Sequence, residues 1–459
     1  MLRACSRQNS FSFFLVLLGW LVVSMALAKA GAGARPTEVP APTPPMGWNS
    51  WDSYGPTVRE NEVKANADFI AKNLAQFGWQ YLVVDIEWYQ PNAKAHGYIP
   101  RGAVTMDEYG RFVPSPNRFP SAANGVGFKD LADYVHSKGL KFGFHIMRGI
   151  PREAVDENRP IKGTKFHAAD IADKVNVCRW SGMEDTYGVD MSKPGAQAYY
   201  DSIAELYASW GADYIKADDM STPARVSEIL ALHEALKKTG RPIVLSLSPG
   251  PFTQTYADFL QTSAQLWRIS WDFWDRWDAL KRQFDIAHSW EAYVGLTSWP
   301  DADMLPLGHI GIRAERGDDR SSNFTHDEQY TLMTLWSIFR SPLMFGGDLP
   351  TSDPFTISLI TNPEVIAVDQ HSSGGHQSYR SEAVIAWTAD AADKTSKYVA
   401  VFNTSDRQRD IELAWHDVDV QAQKASVRDL WGRRDEGMQD RVKVSLAPHA
   451  CVFYRVVAQ

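Results

Sequence analysis

From Met46 onward, short apolar runs alternate with amphipathic stretches over about 300 residues. The runs are MGWNSW (46–51), YLVVDIEW (81–88), LKFGFHIM (140–147), YIKADD (214–219), PIVLSLSPG (242–250), QLWRISWD (265–272), LTSWPDADM (296–304) and PLMFGGDL (342–349). Near-continuous apolar runs of this length read as strands buried on both faces. Between them apolar residues recur at helical spacing, as in ENEVKANADFIAKNLAQFG (60–78) and FKDLADYVHSKG (128–139). The second closes on Lys-Gly, a helix C-terminal signature. Strand–helix units repeated eight times predict an α/β fold, a (β/α)8 TIM barrel over residues 46–365. The main rival, a doubly wound open sheet, calls for a Gly-rich phosphate loop after its first strand, and none follows here.

From about residue 366 the runs shorten. AVIAWTA, KYVAVFNTS, DIELAW, ASVRDLW, RVKVSLAP and ACVFYRVV alternate apolar with polar residues and are separated by turn residues. This is the pattern of a small antiparallel β-sandwich over 366–459, suited to packing, solubility or weak sugar binding rather than to catalysis. Upstream of the barrel, residues 31–45 are Pro- and Ala-rich without apolar periodicity and read as a linker. Residues 1–30 have Arg3 and Arg7 ahead of an apolar run beginning at Phe11, closed by Ala26-Leu27-Ala28 and Ala30. That order predicts a secretory signal peptide and an exported protein, periplasmic or extracellular. The run is short for a membrane anchor, and no second candidate span follows, so no membrane association is expected after signal removal.

Composition narrows the chemistry. A net charge of −8 gives no basic face for nucleic acid. With Cys5 lost in the signal, Cys178 and Cys451 are too few for a disulfide framework. There is no CxxC or HExxH, and the 12 His lack ligand spacing, so neither a metal nor another cofactor is indicated. The 17 Trp supply flat rings that fill cores or stack on the C–H faces of sugars. Nothing in the pattern specifies an oligomeric state.

Barrel enzymes place their reacting groups at the C-terminal ends of strands. The acids that end the runs are Asp85 and Glu87, Asp218 and Asp219, Asp272, and Asp301 and Asp303. A single strand-end Asp often caps the following helix instead. Acids at four strand ends, without clustered His or Cys, point to glycosidic bond cleavage, in which one carboxylate attacks or steadies C1 and another protonates the leaving oxygen. Strand alternation puts Lys216 on the same face as Asp218, and the cation favours the ionised form a nucleophile needs. Asp219 should face the other way or cap the next helix. Asp272 stands among Trp267, Trp271 and Trp274, and an apolar wall would favour the protonated form a proton donor needs. Arg268 pulls the other way, and either holds that carboxylate in position or contacts the sugar.

PPMGWNSW, DEYGRFVPSPNRFP, DYVHSKGLKFG, GADYIKADD, WRISWD, WPDADML and SPLMFGGDL, in that order, resemble glycoside hydrolase family 27, the α-galactosidases and α-N-acetylgalactosaminidases. The resemblance runs through the whole barrel and extends to the C-terminal sandwich. It implies retaining hydrolysis of an oligo- or polysaccharide substrate through a covalent glycosyl-enzyme intermediate. Asp218 then corresponds to the nucleophile and Asp272 to the acid/base, while Trp48, Asp85, Lys216, Arg268 and Asp303 fall where the family contacts its sugar.

Departures from the family pattern bear on the substrate. The α-galactosidases carry two consecutive Asp after the second strand; here the pair is Asp85-Ile86. An isoleucine accepts no hydrogen bond, which leaves a sugar 6-hydroxyl unsatisfied at a cost of roughly 1–3 kcal/mol. β-L-Arabinopyranose is α-D-galactopyranose without the hydroxymethyl group, and it suits such a site. Alternatively Glu87 or a loop residue supplies the contact and galactose is retained. His145 replaces the usual Tyr as a candidate sugar contact. Ser248 replaces a Glu near the 2-hydroxyl, leaving room that also fits N-acetylgalactosamine. Met220 stands where the family has a disulfide cysteine. The expected activity is an exo-glycosidase on terminal α-D-galactosides or β-L-arabinopyranosides. The alternatives are an endo-acting enzyme, an α-N-acetylgalactosaminide-specific enzyme and a non-catalytic sugar-binding barrel.

Overall fold

The computed structural model describes residues 40–459 apart from 179, 181, 182 and 296, so the expected signal peptide and residues 31–39 of the linker lie outside it. Each of the eight apolar runs supplies one barrel strand: β1 (Met46–Asn49), β2 (Tyr81–Val84), β3 (Lys141–Met147), β4 (Tyr214–Asp218), β5 (Val244–Leu247), β6 (Leu266–Arg268), β7 (Trp299–Asp301) and β8 (Leu343–Phe345). They pair in parallel in the order β7-β6-β5-β4-β3-β2-β1-β8. The ring closes just beyond β7, where Leu305 bridges Phe345 and its N–H donates to the Met344 carbonyl at 2.8 Å.

Helices follow the strands in turn: α1 (Glu60–Phe69), α2 (Lys129–Ser137), α3 (Ala196–Ser209), α4 (Val226–Lys238), α5 (Ala257–Ser263), α6 (Trp277–Trp290), α7 (His326–Phe339) and α8 (Pro363–His371). The first helical pattern runs the length read from sequence but changes pitch. After Phe69 it widens into a π-turn (Ile70–Leu74) and tightens into a 3-10 turn (Ala75–Phe77) before Gly78. The Lys-Gly end of α2 closes as its sequence implies, with the Gly139 N–H donating to the His136 carbonyl at 2.9 Å.

Alternation along the strands builds the site. The lower inward positions are apolar: Tyr81, Val83, Tyr214, Val244, Leu266, Trp299 and Met344 pack as one buried cluster. Ala41 joins it from below and accepts the Trp299 indole N–H at 3.1 Å, so the end of the segment read as a linker is packed against the barrel. Two residues further along the same inward faces stand Asp85, Lys216 and then Asp218, Arg268, and Asp301 followed by Asp303. β2, β4, β6 and β7 thus carry their apolar half into the core and lead to ionisable residues at the mouth.

Antiparallel strands begin at Ser373, directly after α8. β9 (Ser373–Arg380), β10 (Val384–Asp390), β11 (Ser396–Asn403), β13 (Ala425–Asp429), β14 (Arg434–Gln439) and β16 (Cys451–Ala458) form one sheet in the order β9-β10-β11-β16-β13-β14, and β12 (Arg409–Ala414) pairs with β15 (Arg441–Leu446) in a second. Val399, Val401, Ile411, Leu413, Trp415 and Val442 fill the space between the sheets. The two strands without an apolar signature, β9 and β14, are the edges of the larger sheet, where solvent faces replace packed ones. The sandwich is fixed to the barrel by aromatic contacts, including Phe284 edge-to-face on Phe402 at 4.9 Å and Trp277 stacked on His449 at 3.7 Å.

Candidate active site

A cavity of about 300 Å3 lies at the C-terminal mouth of the barrel. Its wall contains Asp85 and Ile86 after β2, Lys216 and Asp218 on β4, Arg268 on β6, Asp272 beyond it and Asp303 after β7, together with Trp51, Asp52, Tyr98, Trp271, Glu315 and Arg316. Residues drawn from widely separated stretches of sequence therefore meet around one volume.

Asp218 is 6% exposed at the end of β4. His145 Nε2, from the adjacent strand β3, lies 2.8 Å from its Oδ2, and the Ser248 hydroxyl donates to its Oδ1. Burial alone would raise its pKa, but His145, Lys216 and the Ser248 bond together hold the carboxyl well below the usual range. An ionised, proton-free carboxylate facing the cavity is equipped to attack an electrophilic carbon. Lys216 Nζ donates to Asp85 Oδ2 at 2.9 Å, and the same oxygen accepts from Asn49 Nδ2 at 2.8 Å. Burial also opposes ionisation of Asp85, and Lys216 and His145 outweigh it, so that its pKa is lowered.

Asp272 sits in a different setting. The apolar wall expected from the flanking tryptophans forms only in part: Trp271 and Trp274 line the cavity with Asp272, but Trp267 is buried in the barrel layer, Trp271 is largely exposed, and the Asp272 side chain is itself 42% exposed. The reason is that Asp272 lies beyond β6, in a loop with no strand alternation to turn its neighbours inward. Its charged neighbour is Arg268, whose Nη2 lies 3.4 Å from Oδ1. A carboxyl open to water on one side and to the cavity on the other can exchange its proton with solvent between turnovers.

Arg268 is committed more closely to Asp303, at 2.7 Å. Asp303 also accepts the Phe273 N–H at 2.7 Å. Burial pushes its pKa up to about 7, with Arg268 opposing and Asp272 and Asp301 adding to the rise. Asp52 is 3% exposed, and its Oδ2 has no hydrogen-bond partner. It abuts Gly346 so closely that a Cβ there would fall 1.9 Å from this oxygen. Burial, reinforced by Asp303, raises its pKa well above the carboxylate range.

Several residues singled out from their pattern in the chain stand elsewhere than expected. Trp48 is fully buried with its indole N–H donated to the Gly347 carbonyl at 2.8 Å, outside the cavity wall. Strand alternation sends it outward; Trp51, in the turn after β1, lines the cavity instead. His145 and Ser248 lie behind Asp218 and not in the wall, so they act on the carboxylate, and the room expected at position 248 is not part of the cavity. Asp219 caps no helix: it turns back at φ 62° and pairs with Arg148 at 2.7 Å, and Arg148 also reaches Glu228 at 2.7 Å. Glu87, the possible substitute for a second Asp, is fully buried outside the wall, its pKa pushed up to about 9 by burial and Asp185. Trp51 and Asp52 were within reach of a strand-end reading of GWNSWD; Tyr98, Glu315 and Arg316 come from loops that carry no such signal.

Comparison with known proteins agrees with this geometry. A family model described as alpha galactosidase A matches residues 43–154 and 152–371, and one for the alpha galactosidase C-terminal beta sandwich domain matches 381–456. An α-galactosidase of Cyamopsis tetragonoloba is 29% identical over 424 residues, covering 90% of this chain and 85% of its own. One of Oryza sativa subsp. japonica is 27% identical over 418 residues, covering 90% and 84%. The crystal structure of a family 27 β-L-arabinopyranosidase variant from Geobacillus stearothermophilus, in complex with arabinose, superposes with a TM-score of 0.90 at 48% identity, covering 93% of this chain and all of that one. Two carboxyl groups in unlike settings at the mouth of one barrel, on a chain matched along both its modules, lead to one assignment: the protein belongs to glycoside hydrolase family 27 and is a glycoside hydrolase of the α-galactosidase type.

Proposed function

We propose that the protein is an exported, retaining exo-glycosidase that removes terminal β-L-arabinopyranosyl residues, with α-D-galactosides as the poorer substrate. Asp218 attacks the anomeric carbon while Asp272 protonates the leaving oxygen; Asp272 then takes a proton from the water that releases the sugar. Asp85, Lys216, Arg268 and Asp303 hold the hydroxyls, with His145 and Ser248 positioning Asp218.

The observation that carries the preference is the surrounding of Ile86. It lines the cavity beside Asp85 and packs in an apolar cluster with Met147, Cys178 and Met183, against which Trp51, Tyr98 and Trp180 rest. A hydroxymethyl oxygen placed there meets the Ile86 side chain, which accepts no hydrogen bond, and Glu87 is not in the wall to supply the missing carboxylate. A pentopyranose has no such oxygen to strand. The likeness to an arabinopyranosidase at 48% identity supports this reading; the α-galactoside for which the more distant relatives are named has the same ring stereochemistry as the pentoside. Export rests on the pattern of residues 1–30.

The test compares kcat/KM on p-nitrophenyl β-L-arabinopyranoside and p-nitrophenyl α-D-galactopyranoside, for the wild type and Ile86→Asp. The wild type should favour the pentoside, and Ile86→Asp should move the ratio toward galactose by about tenfold or more. A ratio that does not move removes Ile86 from the account of specificity.

A further inference from the structure

The sugar cavity leaves one of its wall residues facing outward. Among the described residues, Trp271 is the only exposed tryptophan, at 61%. It directly precedes Asp272 in the chain, and it lines the cavity.

The exposed ring is braced. A Cβ built on Gly250 would lie 2.8 Å from Cζ3 of Trp271, 3.0 Å from Cη2 and 3.1 Å from Cε3. Three consecutive ring atoms at almost equal distance mean that Gly250 approaches the face of the six-membered ring; an edge-on approach would separate them far more. Gly250 also has φ 77°, so both its backbone and the space above it call for glycine. With one face on Gly250, the exposure of Trp271 belongs to its opposite face and its edges. The indole is thus a fixed plate beside the mouth, with a free apolar surface.

The chemistry says what crosses that plate. Asp272 has to come within hydrogen-bond reach of the glycosidic oxygen, so the first ring of the leaving group passes directly beside Asp272. Aromatic faces take up the C–H face of a pyranose, burying apolar surface without demanding hydrogen bonds. We propose that Trp271, backed by Gly250, is the stacking platform of a leaving-group subsite that receives a sugar ring, making the natural substrate an arabinopyranosyl or galactosyl unit linked to another sugar. This rests on the assignment of Asp272 as the acid/base.

The experiment compares two substrates of the same glycosyl unit: the glycosyl fluoride, whose leaving group has no ring, and a disaccharide. For Trp271→Ala, the disaccharide-to-fluoride ratio of kcat/KM should fall about fivefold to tenfold. Trp271→Phe, which keeps a flat ring, should recover most of the ratio. A ratio equal to wild type, or a loss shared fully by the fluoride, would overturn the subsite. Failure of the wild-type enzyme to hydrolyse the fluoride would instead contradict the underlying reading of the site.

Discussion

Lys216 on β4 reaches across His145 on the intervening strand β3 to place its Nζ 2.9 Å from Asp85 Oδ2. The ammonium is partly buried in the cavity wall and serves two carboxylates: Asp85, which it bonds, and Asp218, whose ionised form it favours. Lys216→Met therefore removes the cation shared by both. We expect kcat/KM to fall by about 100-fold or more. The direction of the pH effect is fixed by the sign of the shift. Asp218 has a depressed pKa and, as the proposed nucleophile, must be ionised to act, so activity is expected above that pKa and lost as pH falls through it. Removing Lys216 raises the pKa, and the acidic limb of kcat/KM should move to higher pH. A limb that stays in place would show that Lys216 serves the sugar alone.

As the proposed acid/base, Asp272 is required only where the leaving group needs a proton. Asp272→Ala should lower kcat/KM on alkyl glycosides by about 100-fold or more, and far less on 2,4-dinitrophenyl glycosides. Equal losses on the two series would remove Asp272 from the acid/base role.

Glu87 offers a test in stability. It is fully buried, its Oε2 has no partner, and its pKa is pushed up to about 9. A carboxyl whose folded pKa is raised stabilises the fold fully below its unfolded pKa of about 4.3 and loses that contribution as pH rises toward the folded value. Glu87→Gln keeps the shape and removes the titration. Between about pH 5.5 and about pH 8 the variant should gain on the order of 1–3 kcal/mol over wild type. Denaturant melts at the two pH values measure the gain, and an equal difference at both would contradict the burial argument.

Legibility in the sequence divides along physical lines. The barrel strands could be read because strands buried on both faces, such as YLVV and LMF, are apolar throughout, and Asp85 and Asp218 fall where strand alternation carries them to the mouth. The edge strands Ser373–Arg380 and Arg434–Gln439 escape because exposed edges need no apolar face. Trp48 and Trp51 look alike in MGWNSW; only strand alternation at one and the turn at the other separate a core indole from a wall residue. The place of His145 and Ser248 behind Asp218 is not legible because their partner is set by which strands are neighbours. Trp271 reads in sequence as shielding for Asp272, and only the packing on Gly250 shows which way the ring faces.

In the proposed double displacement Asp218 becomes covalently bonded to the sugar. An activated 2,2-difluoro glycoside slows the oxocarbenium-like steps and, with a good leaving group, lets the glycosyl-enzyme accumulate. Incubation of the wild-type enzyme with the 2,2-difluoro β-L-arabinopyranoside or its galactose counterpart, followed by peptide mass spectrometry, should show one added glycosyl unit on the peptide containing Asp218. A label on any other residue, or inactivation without a covalent adduct, would contradict the account.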